Sequence, residues 1–450
     1  MFKRIKGILL ALIIILSAPG ITACGGRKEE IPDFSADKGV KTVRFAGLCE
    51  PPPAGYYHYK DGTTNESFIT VERYKQVKEC GIDIVIAHAQ QNVNDIGPAL
   101  EAAKEAGVKY IAQYQSAINF GSSTPEKVET LIGDLLAHEA VYGIVVKDEP
   151  AYTSFGALGR AYNVFKQVSD KYFYINLLPQ YGMSGEITFP QYIETYCKTV
   201  GTNFISTDFY PYNYDYLNHT MVETWLYNLE VMQKAAVRYD MEHWEYLQGN
   251  KAYPSSKIPD YYDLRHEIYT SMCYGTELFQ YYCYFTPAEF GDREENRCLI
   301  GYDGEPTDIY DAAKKINNEI HSFEHVYMNF VDGWKGAMTF IGSKNETGEN
   351  AAFAHLKSPI EKHGRIKKVE TEEDLVVGAY RNEDQYDAFM MVNFSIPGER
   401  KESKVSVTFN GATKAVCYIG GEEKIFDLED GKLDLTLGAG EGVFVIPVNA

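Results

Sequence analysis

The residues best suited to chemistry in this sequence are carboxylates at the ends of apolar runs. Gly143-Ile-Val-Val-Lys-Asp-Glu-Pro150 carries a hydrophobic run directly into two adjacent acids and a proline. Ser206-Thr-Asp-Phe-Tyr-Pro-Tyr212 presents Asp208 in a similar way, and His243-Trp-Glu-Tyr-Leu-Gln-Gly249 offers Glu245 with Gln248 three residues on. Glycoside hydrolysis needs two such groups, one to protonate the leaving oxygen and one to attack or to activate water. Structural roles compete with this reading. Asp148 and Glu149 also suit the start of a following helix, where acids favour the dipole and Pro150 enforces an extended entry. Asp208 also suits orientation of the Tyr210-Pro211-Tyr212 turn, and Glu245 a salt bridge beside Trp244 and Tyr246.

The elements that must position these groups alternate. From residue 43, short β-branched and aromatic runs alternate with longer stretches of helical period, as in consecutive βα units. The strands expected are Val43–Cys49, Ile82–His88, Tyr110–Gln115, Val141–Asp148, Tyr172–Leu178, Phe204–Tyr210, His243–Gln248 and Leu278–Phe285. Eight such units close into a (β/α)8 barrel, whose active sites lie at the C-terminal strand ends. Those ends carry Glu50, His88, Gln90, Gln113, Gln115, Asp148, Glu149, Asn176, Asp208, Tyr210, Tyr212, Trp244, Gln248, Tyr284 and Glu289. Carboxylates, amides and aromatic rings are what a carbohydrate needs, since sugars offer hydroxyl networks on their edges and C–H faces to stacking rings. Gln90, Gln115, Asn176 and Gln248 are the expected hydroxyl partners, and Tyr210, Tyr212, Trp244 and Tyr284 the expected platforms. No Gly-rich phosphate cradle occurs among these ends. Beyond about Gly333 the period falls to two, between Gly, Asn and Asp turns, which predicts an antiparallel β-sandwich over 333–450 after a barrel over 41–332.

On these residues the chain resembles the clan-A glycoside hydrolases, in particular relatives of family-42 β-galactosidases. Their fourth strand ends in a catalytic acid/base Glu, usually after Asn and often before Pro. Here Glu149 stands at that Glu and Asp148 at the Asn. Ser206–Tyr212 is similar to their sixth-strand end, and Arg265–Tyr282 to their last helix and eighth strand. Leu435-Thr-Leu-Gly-Ala-Gly-Glu-Gly-Val-Phe-Val-Ile resembles the final hairpin of the β-sandwich that many glycosidases carry after their barrel. The resemblance implies cleavage of O-glycosidic bonds without a cofactor, with Glu149 as acid/base.

That family places its nucleophilic Glu at the end of the seventh strand, where this chain has Gln248. Residues three apart in a regular strand face opposite ways, so Glu245 and Gln248 do not both face the site. Three readings stay open. Glu245 is the nucleophile if the strand ends early, giving retention. Asp208 activates water opposite Glu149, giving inversion, if the two carboxyls stand roughly 6.5–9.5 Å apart. Or Asp148 and Glu149 work alone, as in substrate-assisted hexosaminidases whose fourth strand also ends in Asp-Glu, the substrate's 2-acetamido group replacing the nucleophile. A fourth possibility is a glycan-binding barrel that has lost catalysis.

Composition narrows the setting. The 450 residues include 63 acidic and 43 basic side chains, a formal charge of −20 that repels nucleic acid and anionic lipid. Tyrosines number 35, in keeping with sugar clefts. Residues 1–24 read as a signal peptide: a basic head at Lys3, Arg4 and Lys6, an apolar run from Gly7 to Leu16, then a break. Ile21-Thr-Ala-Cys24 resembles a bacterial lipobox, which implies lipidation of Cys24 and a membrane-anchored protein facing the periplasm or cell exterior. Residues 25–40 read as a polar tether. Seven cysteines remain after Cys24, with no CxxC pair, and the histidines form no HxH or HExxH motif, so no metal site is expected.

Overall fold

The computed structural model describes residues 31–34, 42–89, 96–212, 221–251 and 256–450. The signal segment with Cys24, most of the tether, and Gln90 lie outside those residues. Eight strands occupy the expected positions: β1 (Arg44–Leu48), β2 (Ile84–Ile86), β3 (Lys109–Gln113), β4 (Val141–Asp148), β5 (Tyr172–Asn176), β6 (Phe204–Thr207), β7 (Glu242–Gln248) and β8 (Leu278–Tyr282). All are parallel neighbours in the order β5-β4-β3-β2-β1-β8-β7-β6, and a parallel bridge from Leu177 to Thr207 joins the two ends. The result is a (β/α)8 barrel.

Helices α1 (Val71–Glu79), α2 (Gly97–Ala106), α3 (Pro125–Ala137), α4 (Phe155–Phe165), α5 (Phe189–Thr199), α6 (Trp225–Tyr239) and α7 (Tyr261–Met272) run between the strands, and α8 (Asp308–His321) follows β8. Local chemistry sets their ends. Thr70 caps α1 by accepting the Arg73 N–H, Thr188 with Gln191 and Asp260 with Asp263 form capping boxes on α5 and α7, and Gly107 ends α2 at φ 72°. The helical stretch breaks at Phe323, so that α9 (Glu324–Val331) follows α8. Among the described residues no helix is long and apolar enough to cross a membrane.

The barrel interior is layered. At the N-terminal end Arg44 donates to Glu242 Oε2 (2.9 Å) and to the hydroxyls of Tyr142 (2.9 Å) and Tyr172 (3.2 Å). Above them lies an apolar layer of Ala46, Ile84, Ile86, Ile111, Val145, Tyr174, Phe204, Trp244 and Leu278. Polar side chains are left for the C-terminal mouth.

The C-terminal region forms two antiparallel sheets. Strands β9 (Trp334–Phe340), β11 (Leu375–Arg381), β12 (Asp387–Asn393), β14 (Lys414–Ile419), β15 (Glu422–Asp427) and β17 (Gly442–Val448) make a six-stranded sheet, and β10 (Ile366–Thr371), β13 (Ser403–Phe409) and β16 (Lys432–Leu437) a three-stranded one. A separate apolar core that includes Leu375, Phe389, Val405, Leu433 and Val445 fills the space between them. The last two strands do not form the hairpin expected from the sequence. β16 pairs with β13 and β17 with β12 and β14, so the Gly438–Glu441 turn crosses between sheets. This region sits on the outer helices: Glu230 of α6 accepts the Lys357 and Ser358 N–H groups at 2.9 Å each, and Arg265 of α7 donates to the Ala439 carbonyl.

Candidate active site

Two backbone irregularities aim the acids of β4. Val145 faces the barrel interior, so strict alternation turns residue 148 towards the helices. A bulge between Val145 and Lys147 adds one residue against β5 and sets Asp148 opposite Asn176. Bulges recur beside active sites because they re-aim side chains in this way. Glu149 then adopts φ 42°, left-handed for a non-glycine residue, while its N–H donates to the Asn176 carbonyl at 2.9 Å. That conformation costs about 1–2 kcal/mol. Strain of this kind collects at functional sites.

Asn176, at the end of β5, is the hub. Its Nδ2 donates to Asp208 Oδ1 at 2.9 Å and to Asp148 Oδ1 at 3.3 Å, and its Oδ1 accepts from the Ser206 hydroxyl at 2.8 Å. Asp208 and Glu149 lie close enough to influence each other's charge. Three acids therefore converge at the mouth, Asp148 and Glu149 open to solvent on one side and Asp208 half-buried. Crowding sets their protonation. Partial burial raises Glu149, the Asp148 charge adds to this, and the contact with Asp208 opposes it. Burial, then Glu149 and Asp148, hold Asp208 well above the ordinary carboxylate range, against donation from Asn176. Burial also raises Asp148, opposed by Asn176, Lys147 and His88. Carboxyls crowded around one amide favour holding a proton in common rather than ionising together.

The seventh strand runs on to Gln248, and this takes Glu245 away from the mouth. Trp244 belongs to the interior layer and the Tyr246 hydroxyl meets Tyr174 there, so Glu245 lies on the opposite face with His243 and Leu247. It is fully buried, its Oε2 is 3.4 Å from His243 Nε2, and neither carboxyl oxygen has a hydrogen-bond partner among the described residues. Burial, with Glu267 and Asp208 adding to it, holds Glu245 well above the usual range, and burial depresses His243 to about 4, so the pair is neutral. A neutral acid behind the barrel wall is not placed as a nucleophile. Glu245→Gln is expected to leave any hydrolysis within about threefold of the parent. Its stability effect has a sign. Glu245 stays protonated when folded but ionises when unfolded, so its contribution is full below the unfolded pKa and is lost as pH rises towards the folded one. The Gln variant should therefore gain at least about 1 kcal/mol at pH 7 relative to its gain at pH 4. Equal gains at both pH values in thermal melts would refute the assignment.

Other expected contacts divide. Tyr210 packs its ring 5.3 Å from Tyr282 near Asp208, and Gln115 is exposed beyond β3, 3.5 Å from Gln113. Gln248 is fully buried: its Oε1 accepts the Tyr212 N–H (3.1 Å), and its Nε2 donates to the Asn250 and Lys257 carbonyls. It is a strap between loops. Tyr212 turns towards α7, with its hydroxyl donating to the Asp263 carbonyl at 2.8 Å. Trp244 stacks on Phe204 at 4.0 Å deep in the barrel, its Nε1 held by Glu242. Tyr284 is fully buried beside Gly47, on the side of Cys80 and Tyr310. These three rings are packing, not platforms: Trp244 lies too deep, and Tyr212 and Tyr284 are buried in the segments beyond β6 and β8. Glu50 is also structural, accepting the N–H groups of His88 and Ala89 and the Tyr110 hydroxyl.

Tyr181 was not legible as a contact. It lies in the loop after β5, exposed, edge-on to Phe209 at 5.0 Å, with its hydroxyl 3.4 Å from the Asp208 carbonyl. Only its place beyond a strand end marked it. Across the mouth His88 Nε2 stands 3.4 Å from Glu289 Oε1. Among the described residues no group of three or more His, Cys, Asp or Glu is arranged to hold a metal ion. Cys49, Cys80, Cys197, Cys273, Cys283, Cys298 and Cys417 are buried free thiols.

The fold matches known architecture: a (β/α)8 barrel followed by a β-domain, as in solved glycoside hydrolases. A GH42 β-galactosidase from G. stearothermophilus superposes with a TM-score of 0.55 at 8% identity, over 90% of this chain and 98% of that one. A family 5 glycoside hydrolase from Bacteroides vulgatus gives 0.50 at 11% identity, over 91% and 90%. An Anoxybacillus alpha-amylase gives 0.50 at 11% identity, over 91% and 98%. These are likenesses of fold. No family model and no curated protein sequence matches the chain.

Proposed function

We propose that this protein is a glycoside hydrolase acting on N-acetylated sugars, held at the cell envelope through Cys24, with Glu149 as general acid/base. The observation that carries this reading is the convergence of Asp148, Glu149 and Asp208 on Asn176 at the mouth, while the end of β7 carries Gln248. An inverting pair would instead have to hold a water in a gap of roughly 6.5–9.5 Å between Glu149 and its base. Substrate assistance needs no such gap. Glu149 gives its proton to the glycosidic oxygen as the C1–O bond breaks, and the 2-acetamido oxygen bonds to C1. Asp148 or Asp208 accepts the acetamido N–H of the resulting oxazolinium ion. Glu149, now a carboxylate, takes a proton from the water that attacks C1, and the ring opens to restore the acetamide. Tyr181 and Tyr210 supply rings at the rim.

The test is release of reducing ends by the full-length protein from a glycan panel with and without 2-acetamido groups. Product only from N-acetylated sugars is expected. Equal turnover of 2-hydroxyl sugars would sink substrate assistance. Retained glycan binding with no product anywhere would sink hydrolysis and leave the binding barrel, a reading that the buried, strapped Gln248 favours.

A further inference from the structure

Below the acids, the barrel interior holds an unbroken chain of hydrogen bonds. Asn176 spends both Nδ2 hydrogens, on Asp208 Oδ1 and Asp148 Oδ1. Its Oδ1 accepts the Ser206 hydroxyl at 2.8 Å, and Ser206 Oγ accepts Gln280 Nε2 at 2.8 Å. Gln280 Oε1 accepts the Tyr174 hydroxyl at 2.7 Å. The Tyr246 hydroxyl stands 2.9 Å from Tyr174, whose single proton is committed, so Tyr246 donates this last bond. All five side chains behind the acids are buried. They come from β5, β6, β7 and β8, with sequence separations of 30 to 106 residues. Turning any one amide would set hydrogens against hydrogens or lone pairs against lone pairs where solvent does not reach, which low-dielectric surroundings disfavour strongly.

The geometry points to Ser206, Gln280 and Tyr174 as positioning residues: by locking the Asn176 amide with its hydrogens towards Asp148 Oδ1 and Asp208 Oδ1, they keep the site's proton off the two carboxyl oxygens that the amide reaches. Amide donation favours the ionised form of the oxygens it reaches. Of the carboxyl oxygens the amide does not reach, Asp208 Oδ2 belongs to the least exposed of the three acids, and burial favours the neutral form there. Other groups facing the cluster are consistent with this. Lys147 and His88 act on Asp148 from β4 and from the end of β2. Tyr192 of α5, Tyr210, Tyr246 and Tyr282 face Asp208 as neutral phenols, burial holding each hydroxyl above its ordinary range. Glu245 lies behind β7, protonated. The significance for acid catalysis rests on the hydrolase reading, but the proton's location does not.

Infrared spectroscopy of the full-length protein, with no sugar present, reads that proton directly as a protonated-carboxyl C=O band. The wild type minus Asp208→Asn difference spectrum is expected to show the band at pH 7. Ser206→Ala removes the hydroxyl that pins Asn176, and its band should titrate about one pH unit higher. Ser206→Thr keeps the hydroxyl and should titrate as the wild type does. A Ser206→Ala titration that overlays the wild type would overturn the proposal. So would a Ser206→Thr shift as large as that of Ser206→Ala, which would mark a packing effect. Absence of hydrolysis by the wild type leaves these spectra unchanged, so the two ideas fail separately.

Discussion

Glu149→Gln is expected to lower release of reducing ends at least about a hundredfold, the scale of a lost general acid, while glycan binding persists. Gln keeps the size and the left-handed backbone of Glu149 but has no proton to give. The pH dependence carries the sign. Glu149 must be protonated to expel a poor leaving group, and burial with the neighbouring Asp148 charge raises its titration. Activity should therefore fall as pH rises through that raised value, and the residual activity of the Gln variant should lack this limb. Asp148→Asn removes the adjacent charge, so the limb should move to lower pH, by an amount read from kcat/KM profiles. A substrate with an activated aryl leaving group needs little acid assistance and should recover most of the loss in Glu149→Gln. A uniform loss on activated and unactivated substrates alike would instead mark Glu149 as a binding group.

The strands were legible because parallel strands buried on both faces read as apolar runs, as in Ile84–Ile86 and Val141–Val146, between stretches of helical period. Glu149 and Asp208 were legible because a barrel puts chemistry at strand ends. What escaped was phase. The bulge at Val145–Lys147 depends on how β4 registers against β5, and no local residue type announces it. On β7 the alternation posed the right question, Glu245 or Gln248, and the strand's true length answered it. Neither residue faces an open cleft, because Gln248 is consumed by Tyr212, Asn250 and Lys257. Tyr212 and Tyr284 were misread because the segments that follow β6 and β8 turn them towards the helix layer, which no strand alternation predicts. The Ser206–Gln280–Tyr174 relay was invisible because its members are brought together only by closure of the barrel. Strands β9 and β11 of the C-terminal region also went unassigned before the structure.

The largest expected stability effect lies at the other end of the barrel. Arg44→Ala should destabilise the protein by about 3–5 kcal/mol, the scale for removing one partner of a buried ion pair. Arg44 and Glu242 are both nearly inaccessible, and their 2.9 Å contact is the centre of the lowest interior layer. Burial alone works against the Arg44 charge, but Glu242 and the Tyr142 and Tyr172 hydroxyls more than offset it, so the guanidinium stays charged at any pH the fold survives. Without Arg44, Glu242 keeps the Tyr172 hydroxyl and Trp244 Nε1 as donors but has no countercharge. It then neutralises by taking up a proton, so the gap between variant and wild type should narrow as pH falls towards the carboxylate range. Arg44→Met combined with Glu242→Leu removes the stranded charge and should recover most of the loss. Urea unfolding of the three proteins at pH 7 and pH 5 decides the matter. A single-variant loss below about 1 kcal/mol would place the pair in surface-like dielectric. Because this layer lies beneath the apolar one, molecules of Arg44→Ala that remain folded at low temperature should keep the mouth, and with it the shared proton, unchanged.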